Sequence, residues 1–446
     1  MSQLGILVGR RTFKKGHAGE PGQGRTKDYI LQLVRTPDEN EGVSSLRVVS
    51  RGKEQFHLDV DVEWVCEHAC QLARILPGGL SILGLYVLCD ARAFSPKSFE
   101  GLLKLMNSQI IAAGSSHASI VIHIDSVRGV LSAKEQDGSL FKPCEVQNSS
   151  LLTEMVEFRC TYPLELSLDM CNDKGIVSEL IDDLITFEVK NRIQPMCILP
   201  KGDNLISSEQ MVARYIKRDG LDHVPVSLMT PCTVQGPPAL GVSSSSGAHG
   251  EKMSGTYVKR AHFSFKGAME CRGYILKSED IQDAVDALKQ DVEISLRARL
   301  EILVEAAEMA TEALQARQKN APSSSSSGKE KKAKHPLLDS LSSIGSYEPQ
   351  FPQRAFLRWK QSVCCYCDYI VEGDGVTEAL GRIRELVGHG IVDGTTYHCS
   401  EKIANESNVR KTTQRKGLAL CALFSSCNIM VALPIIIAII AMLYVL

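Results

Sequence analysis

The C-terminal end of the chain most restricts how this protein can fold. From Gly417 to Leu446 no side chain is charged, and Asn428 is the only strongly polar interruption. As a helix rising ~1.5 Å per residue, the part from Ile429 onward spans about 27 Å, the hydrocarbon thickness of a thin bilayer. A soluble helix keeps a polar face, and this segment has none. We therefore predict a transmembrane helix over 417–446, with anchor residues Ile429, Val431, Leu433, Pro434, Ile435, Ile439 and Leu446.

Basic residues precede this segment, and no charged residue follows it. The flank consists of Arg410, Lys411, Arg415 and Lys416. By the positive-inside rule, the flanked side is cytosolic, which predicts a single-pass tail anchor in a lipid bilayer with the bulk of the chain in the cytosol. The alternative is a buried C-terminal helix of a globular domain.

The composition excludes several partners and compartments. A formal net charge of −2 and an aromatic content of 6% argue against nucleic acid as a partner. The N-terminal apolar run is too short for a signal peptide and lacks preceding basic residues. We therefore expect the 15 cysteines to remain cytosolic thiols rather than to form a disulfide framework.

Strand and helix patterns alternate through the first part of the chain and then continue less regularly. This alternation predicts an α/β fold, with α+β as the alternative. The predicted early elements are strands at Ile6–Val8, Tyr29–Val34, Leu80–Leu88 and Ser119–Ile124, and helices at Asp59–Leu76 and Ser95–Ala113. Later elements are mixed strands and a helix over 145–231, a strand pair over Thr256–Leu276 and a long helix over Ser278–Lys319.

These patterns divide the chain into six ranges. They are a cytosolic α/β domain (1–231), a Gly/Ser/Pro-rich flexible loop (232–255), a strand pair and long helix that complete the cytosolic core (256–320), a disordered Ser/Lys linker (321–350), a small cytosolic segment with a basic stalk (351–416), and the anchor (417–446).

Three short motifs resemble catalytic or metal sites, and each fails on a physical ground. Gly19–Thr26 is close to a phosphate-binding loop, but Arg25 replaces its lysine and a strand, not a helix, is predicted to follow. Cys364, Cys365 and Cys367 lack a second pair with zinc-ligand spacing, since His398 and Cys399 are adjacent. On a helix, His68 lies about 200° from Cys66 and cannot activate it. We expect no cofactor, no metal and no catalytic residue.

Three segments together resemble a known family. The residues from Glu63 to Gly84, EWVCEHACQLARILPGGLSILG, are similar to a signature of the odorant response abnormal protein 4 family. FKGAMECRGYI, Phe265 to Ile275, resembles its second landmark, and Lys27-Asp28-Tyr29 with Arg35-Thr36-Pro37 its third. Candidate signature or partner-binding residues are Trp64, Glu67, His68, Pro77, Gly78, Gly79, Phe265, Gly267 and Cys271.

The resemblance implies a non-catalytic adaptor of the endoplasmic reticulum membrane. Such a protein assists the folding, maturation or trafficking of polytopic receptors, its clients. The resemblance also implies that it recruits the ubiquitin-fold-modifier-specific cysteine protease to the membrane. Two segments are candidates for the partner contact: the outer face of the Asp59–Leu76 helix and the strand Phe265–Ile275. The alternative is that both segments are core.

A fainter likeness concerns the fold of the N-terminal domain. Leu83 to Asp90 looks like the MPN-domain strand that carries two zinc-binding histidines in metalloproteases. Val87 and Cys89 occupy those positions here, so the likeness implies a pseudo-enzyme. Two alternative functions remain: a membrane-bound thiol or metal hydrolase, and a vesicle tethering or fusion factor.

Overall fold

The computed structural model describes residues 2–13, 26–38, 44–50, 56–112, 117–171, 177–198, 209–216, 223–229, 260–319, 350–371, 373–388, 390–398 and 401–405. Within these ranges the protein is a mixed α/β structure of sheets and helices, which confirms the predicted class. The flexible loop 232–255 and nearly all of the linker 321–350 lie outside the described residues, so those two predictions are not addressed.

The strands, in chain order, are β1 Gln3–Phe13, β2 Thr26–Arg35, β3 Leu46–Ser50, β4 Phe56–Val60, β5 Ser81–Cys89, β6 Ile120–Asp125, β7 Leu131–Asp137, β8 Leu140–Cys144, β9 Met155–Cys171, β10 Cys197–Ile198, β11 Val224–Pro225, β12 Leu228–Met229, β13 Arg260–Leu276, β14 Gln353–Trp359, β15 Cys365–Ile370, β16 Val392–His398 and β17 Lys402–Asn405. The helices are α1 Val62–Ile75, α2 Glu100–Ala112, α3 Val177–Glu188, α4 Val212–Ile216, α5 Ile281–Lys319 and α6 Val376–Val387.

The first sheet has six strands in the order β2-β1-β5-β6-β7-β8. Only β5 and β6 run parallel, joined by a crossover through α2, as such a connection requires. The four early strand predictions are confirmed as β1, β2, β5 and β6. Since β1 and β2 pair antiparallel and β2 begins at Thr26, a strand follows the phosphate-loop-like motif, as predicted.

Helix α1 starts later than its periodicity predicts. Asp59 belongs to β4, and the helix begins at Val62 because Asp61 caps it, accepting a hydrogen bond from the Trp64 N–H at 3.0 Å. The apolar side of α1 packs in one core with α2 and with one face of the first sheet. A 3-10 turn, Pro96–Phe99, leads into α2, with Ser95 extended ahead of it but forming no side-chain cap.

A second sheet, in the order β11-β9-β13-β17, holds the two longest strands. The predicted strand pair over Thr256–Leu276 is wrong: the described part of that range, from Arg260, is one continuous strand, β13. Its partner is β9, more than 80 residues earlier in the chain, and Arg260 pairs with Cys171 at one end and Leu276 with Met155 at the other. Pairing along the whole length makes a turn within β13 unnecessary.

Helix α5 packs along this second sheet. The predicted apolar side is confirmed, since the side chains that the pattern singles out are buried or packed in the second core: Ile281, Val285, Leu288, Val292, Leu296 and Leu303. A fusion factor needs this kind of face free for zippering, and here the sheet covers it.

The C-terminal strands are not isolated from the rest of the fold. β15, β14 and β16 form a third sheet, with α6 packed on it. Trp359 and Tyr366 of this sheet share the core of α1 and the first sheet. β17 is an edge strand of the second sheet. The structure therefore brings residues from both ends of the described chain into common cores.

Candidate functional site

The first signature segment is held by contacts with the segment Arg35-Thr36-Pro37. The indole N–H of Trp64 donates to the Pro37 carbonyl at 2.8 Å. The buried His68 ring places Nδ1 3.3 Å from the Thr36 hydroxyl and Nε2 3.0 Å from the Leu386 carbonyl. Burial lowers the pKa of His68, against an opposing effect of the Leu386 carbonyl. Through its two nitrogens the ring ties α1 to Thr36 and to Leu386 of α6.

The two thiols of α1 are not activated. Burial raises the pKa of Cys66 to about 11, with a further contribution from Cys70. The pKa of Cys70 is also raised, again mainly by burial. Since the thiolate is the nucleophilic form, these thiols are poor nucleophiles at neutral pH.

The Pro77-Gly78-Gly79 turn is the point where α1, β13 and α5 meet. A Cβ on Gly78 would lie 1.9 Å from the Ala287 carbonyl oxygen, inside α5. Gly79 has a φ of +82°, a conformation that favours glycine. The Gly78 carbonyl accepts a hydrogen bond from the Tyr274 N–H at 2.9 Å. Both glycines are therefore needed for close approach of three backbones.

β17 covers only part of the outer edge of β13. Beyond the first residue of β17, side chains instead of a strand accept the hydrogen bonds of this edge. The Glu270 N–H donates to the Glu401 carboxylate at 2.9 Å, and the Arg272 N–H donates to the Asp291 carboxylate at 2.8 Å. The next outward N–H, that of Tyr274, is the one bound by the glycine turn. An unpaired buried N–H is costly, so these acceptors are structural requirements of the strand.

The carboxylates of Asp291 and Glu401 each bind a buried arginine. Arg354 donates to both oxygens of Asp291, at 2.7 and 2.9 Å, and Arg299 donates to Glu401 at 2.6 Å. All four side chains are inaccessible or nearly so. Burial, the largest single effect, lowers the pKa of Arg354, but the charge of Asp291 and smaller effects of neighbouring groups together outweigh it and raise that pKa well above its usual value. We call Asp291, Arg299, Arg354 and Glu401 the buried ion network.

Sequence reasoning missed this network, although one signal was present. Asp291 lies three residues after Leu288, so it shares a face of the helix with this member of the apolar side of α5. A carboxylate at such a position requires a buried cationic partner. Its partner Arg354 lies on β14, and no local spacing points to it.

The cysteine-rich strand is also part of this centre. Cys365 Sγ lies 3.5 Å from Arg272, and Cys367 Sγ lies 3.0 Å from Arg354. Burial raises the pKa of Cys364 to about 12 and of Cys367 to about 11. Among the described residues no group of three His, Cys, Asp or Glu side chains could hold a metal ion. His398 lies in β16, and Cys399 lies outside the described residues.

The MPN-like positions lie at the carboxyl end of β5. Val87 and Cys89 are buried, and burial raises the pKa of Cys89 to about 11, with Asp90 and Asp125 adding to the rise. The His123 ring on β6 donates from Nε2 to the Cys89 carbonyl, 3.1 Å away. Val87 and Cys89 are thus packed in the core of the first sheet.

Comparison with known proteins identifies the family. The sequence model of the family described as "ODR4-like: Odorant response abnormal 4-like" matches residues 19–395. The chain belongs to the ODR4-like family. Curated relatives include the protein odr-4 homolog of Homo sapiens, 23% identical over 402 residues, covering 82% of this chain and 76% of that protein. The Dictyostelium discoideum protein odr-4 homolog is 19% identical over 396 residues, covering 86% and 75%.

One solved structure aligns weakly with this ODR4-like chain. It is the crystal structure of UfSP from C. elegans, with 10% sequence identity and a TM-score of 0.38, covering 87% of this chain and 53% of that one. A TM-score this low does not establish a common fold.

Most signature residues of this ODR4-like chain are internal. His68, Pro77, Gly78, Gly79, Phe265 and Cys271 are buried, whereas Trp64 and Gly267 are half-buried and Glu67 is exposed. Phe265 packs against Phe351 with ring centroids 5.0 Å apart. The signature residues therefore mainly hold sheets and helices together. Of the residues named above, Glu67 is the one whose side chain is exposed to a partner.

The predicted anchor and its basic flank, 410–446, lie outside the described residues. Among the helices that the structure does describe, none is both long enough and apolar enough to cross a bilayer.

Proposed function

We propose that this chain is a non-catalytic adaptor, anchored by its C-terminal segment in the endoplasmic reticulum membrane with the folded part in the cytosol. In this role it assists the folding, maturation or trafficking of polytopic receptors. Membership of the ODR4-like family carries the proposal, because it supports a receptor-trafficking adaptor role. The anchor rests on the uncharged segment after Lys416.

The chemistry of the described residues agrees with an adaptor. The thiols of Cys66, Cys89 and Cys367 have pKa values raised by burial, so none of them is a ready nucleophile. The signature's buried groups are engaged in holding sheets together. A thiol hydrolase would need an activated thiolate among these residues, and a metal hydrolase would need side chains placed together to bind a metal ion.

The partner in this proposal is the ubiquitin-fold-modifier-specific cysteine protease, recruited to the membrane. Its contact is the exposed side of α1, where Glu63, Glu67 and Arg74 face solvent. Confinement to a membrane raises the effective concentration of a bound protein near its clients without a tight contact. A small polar surface of this kind is therefore enough for recruitment.

Affinity purification from membranes tests recruitment and anchoring together. The full chain is compared with a chain that ends after Arg410. The expected result is that the protease co-purifies with both, in the membrane fraction with the first and in the soluble fraction with the second. Loss of the protease from both forms removes the recruitment mechanism and leaves direct contact with receptor clients as the leading idea.

A charge-reversal pair tests the surface. Glu63→Lys/Glu67→Lys changes only exposed side chains of α1, and Glu145→Lys changes an exposed carboxylate on the segment after β8. We expect the α1 pair to lower protease recovery at least about 10-fold, as loss of ~1.4 kcal/mol implies, and the control to leave recovery unchanged. If the two variants recover equal amounts of the protease, the contact does not lie on the exposed side of α1.

We also propose that the first sheet with α1 and α2 is an MPN-like pseudo-enzyme domain. Its support is the placement on the buried strand β5 of Val87, which has no zinc-binding atom, and of Cys89, whose pKa is raised by burial so that the zinc-binding thiolate is disfavoured. Elemental analysis of the purified chain is expected to find zinc well below one ion per chain. One tightly bound zinc per chain contradicts the pseudo-enzyme proposal.

A further inference from the structure

Four aliphatic side chains are exposed at one end of the first sheet. Val127 and Val130 lie on the turn between β6 and β7, Leu131 begins β7, and Val146 follows β8. Because β8 runs antiparallel to β7, its last residues return to the end at which β7 begins. The exposed fractions of these side chains are 74%, 58%, 44% and 43% in chain order. We call them the apolar patch, since exposed aliphatic side chains that cluster mark an interaction surface more often than single ones do.

The turn that carries the two valines has a fixed shape. The Asp125 carboxylate accepts hydrogen bonds from the N–H groups of Val127, at 2.9 Å, and of Arg128, at 3.3 Å. The Asp125 N–H donates to the Val130 carbonyl at 2.9 Å, and the Gly129 N–H donates to the Asp125 carbonyl at 2.8 Å. Gly129 takes the positive φ, +68°, that closes the turn. The exposure of the valines is therefore built into the fold and does not come from a loosely held loop.

Two arginines lie beside the apolar patch. The side chain of Arg128, at the tip of the turn, is 78% exposed, and that of Arg92, after β5, is 72% exposed. Hydrogen bonds from Arg92 lower the pKa of Asp90 to about 2, and the charge of Arg128 adds to this effect, so both cations are near the same carboxylate. Glu145 is exposed next to Val146, so the positive charge is concentrated at the turn and not over the whole patch.

The surface of a bilayer with anionic headgroups matches this chemistry. The valines project from a turn, so they form a convex tip and not a groove that could receive a side chain of a protein partner. The patch is aliphatic, whereas the centres of protein interfaces are enriched in aromatic side chains. Aliphatic side chains flanked by arginine enter the boundary between headgroups and acyl chains, where guanidinium groups meet phosphates. Shape and chemistry therefore both favour a lipid surface over a protein.

We propose that Val127 and Val130 insert into the interfacial layer of an anionic bilayer while Arg92 and Arg128 contact the headgroup phosphates. This contact turns the β6–β7 end of the first sheet toward the lipid. The inference goes beyond the proposed function, which attaches the chain to the membrane but gives the folded part no orientation. It rests on that function in one respect, since the proposed anchor raises the effective concentration of the turn at the bilayer.

Tryptophan quenching in the full chain, reconstituted into vesicles, tests the contact. The vesicles contain phosphatidylcholine and phosphatidylserine at about 4:1, which gives an anionic surface, and the phosphatidylcholine carries brominated acyl chains, which quench an indole that reaches them. The test variant is Val127→Trp. The matched control is Leu140→Trp, whose site is 64% exposed at the opposite end of the β7–β8 hairpin. Trp64 and Trp359 are present in both variants, so a difference between the variants comes from the added indole.

We expect bromine quenching to remove at least about twice as large a fraction of the added fluorescence in Val127→Trp as in Leu140→Trp, because only the first site enters the acyl region. Adding Arg128→Gln to the test variant should lower its quenching in the anionic vesicles and leave it nearly unchanged in phosphatidylcholine alone. Quenching in the anionic vesicles that does not respond to Arg128→Gln rejects the headgroup contact. No quenching at either site, or equal quenching at both, overturns the inference.

Two further measurements separate the alternatives. If the turn contacts a protein instead, Val127→Trp stays unquenched and Val127→Asp/Val130→Asp lowers recovery of the protease, which assigns the surface to that partner and overturns the lipid contact. Carbonate extraction of the same preparations reports anchoring independently. A quenched turn on an extractable chain rejects the anchor and keeps the lipid contact, and an unquenched turn on a resistant chain does the reverse.

Discussion

The guanidinium of Arg354 binds both oxygens of the Asp291 carboxylate, at 2.7 and 2.9 Å, with both side chains fully inaccessible to solvent. The pair joins β14 to α5, and Asp291 also accepts from the N–H groups of Gly78 and Arg272. One carboxylate thereby connects the first signature segment, the second signature segment and the C-terminal sheet. It is the clearest reason why segments far apart in sequence form one structure.

Asp291→Ala is expected to destabilise the fold severely. The change leaves a buried guanidinium and two buried N–H groups without acceptors, which typically costs 3–5 kcal/mol or more. Denaturant titration of the detergent-solubilised full chain measures the free energy of unfolding. The matched control is Glu301→Ala, which removes a partly exposed ion pair with Arg74 and is expected to cost less than about 1 kcal/mol.

The double variant Asp291→Leu/Arg354→Met separates charge from packing. Replacing a buried ion pair by apolar side chains avoids an orphaned charge, so the loss is expected to be smaller than that of Asp291→Ala alone. If the double variant is less stable than Asp291→Ala, the unpaired charge of Arg354 is not the main cause of the stability that Asp291→Ala loses.

Gly78→Ala is expected to disrupt the same centre by sterics alone. The added Cβ would lie 1.9 Å from the Ala287 carbonyl oxygen, and neither backbone can move without breaking hydrogen bonds. The loss of stability is expected to exceed about 2 kcal/mol, as for strong overpacking. Gly101→Ala is the control, since nothing lies within 4 Å of its Cβ position on α2; there the substitution is expected to stabilise by about 0.5–1 kcal/mol. Melting temperature measures both.

Sequence predicts the parts of this fold that depend on local periodicity. The apolar stripes of α1 and α5 and the buried strand β5 follow from spacing that each element repeats along its own length. The continuous strand β13 was not predicted, because its 17 residues greatly exceed the usual strand length of about 5–6 and the segment contains Gly267 and Gly273. Only its pairing with β9, remote in sequence, makes a strand of this length stable.

The same limit applies to the site. The signature residues could be named from sequence, but their role depends on Asp291 and Glu401, whose arginine partners lie 63 and 102 positions away. Local spacing carries no information about such pairs. The prediction that α1 offers a partner surface now depends on its exposed residues, Glu63 and Glu67 above all, because His68 is internal.

Glu188 is expected to make stability depend on pH. Its carboxyl group is buried at the end of α3, where one oxygen lies 3.5 Å from the Arg192 guanidinium and Tyr162 donates to the other at 3.3 Å. Burial raises the pKa of Glu188, against opposing effects of Arg192 and Tyr162. Since the folded state holds this proton more tightly than the unfolded state, the stabilising contribution is present at low pH and is lost as pH rises through the raised pKa.

Glu188→Gln should therefore stabilise the chain at pH 8 and have little effect at pH 5, since glutamine stays neutral and can still accept from Tyr162. Unfolding free energies of both forms across this range provide the measurement. Glu145→Gln, an exposed carboxylate, should show no such divergence. A Glu188→Gln variant that is less stable than the native chain at pH 8 rejects the assigned cause.

The buried thiols are expected to resist alkylation in the folded chain. Burial raises the pKa of Cys66, Cys89 and Cys367 to about 11, whereas Cys197 is exposed. At pH 7.5 the buried thiols should react with iodoacetamide at least about 100-fold more slowly than Cys197, because both the thiolate fraction and access are lower. Quantitative mass spectrometry of labelled peptides gives each rate, and Cys197→Ser is the control that removes the fast reference. Cys66 labelled as fast as Cys197 would revive the thiol-hydrolase alternative, because it would show an accessible thiolate on α1.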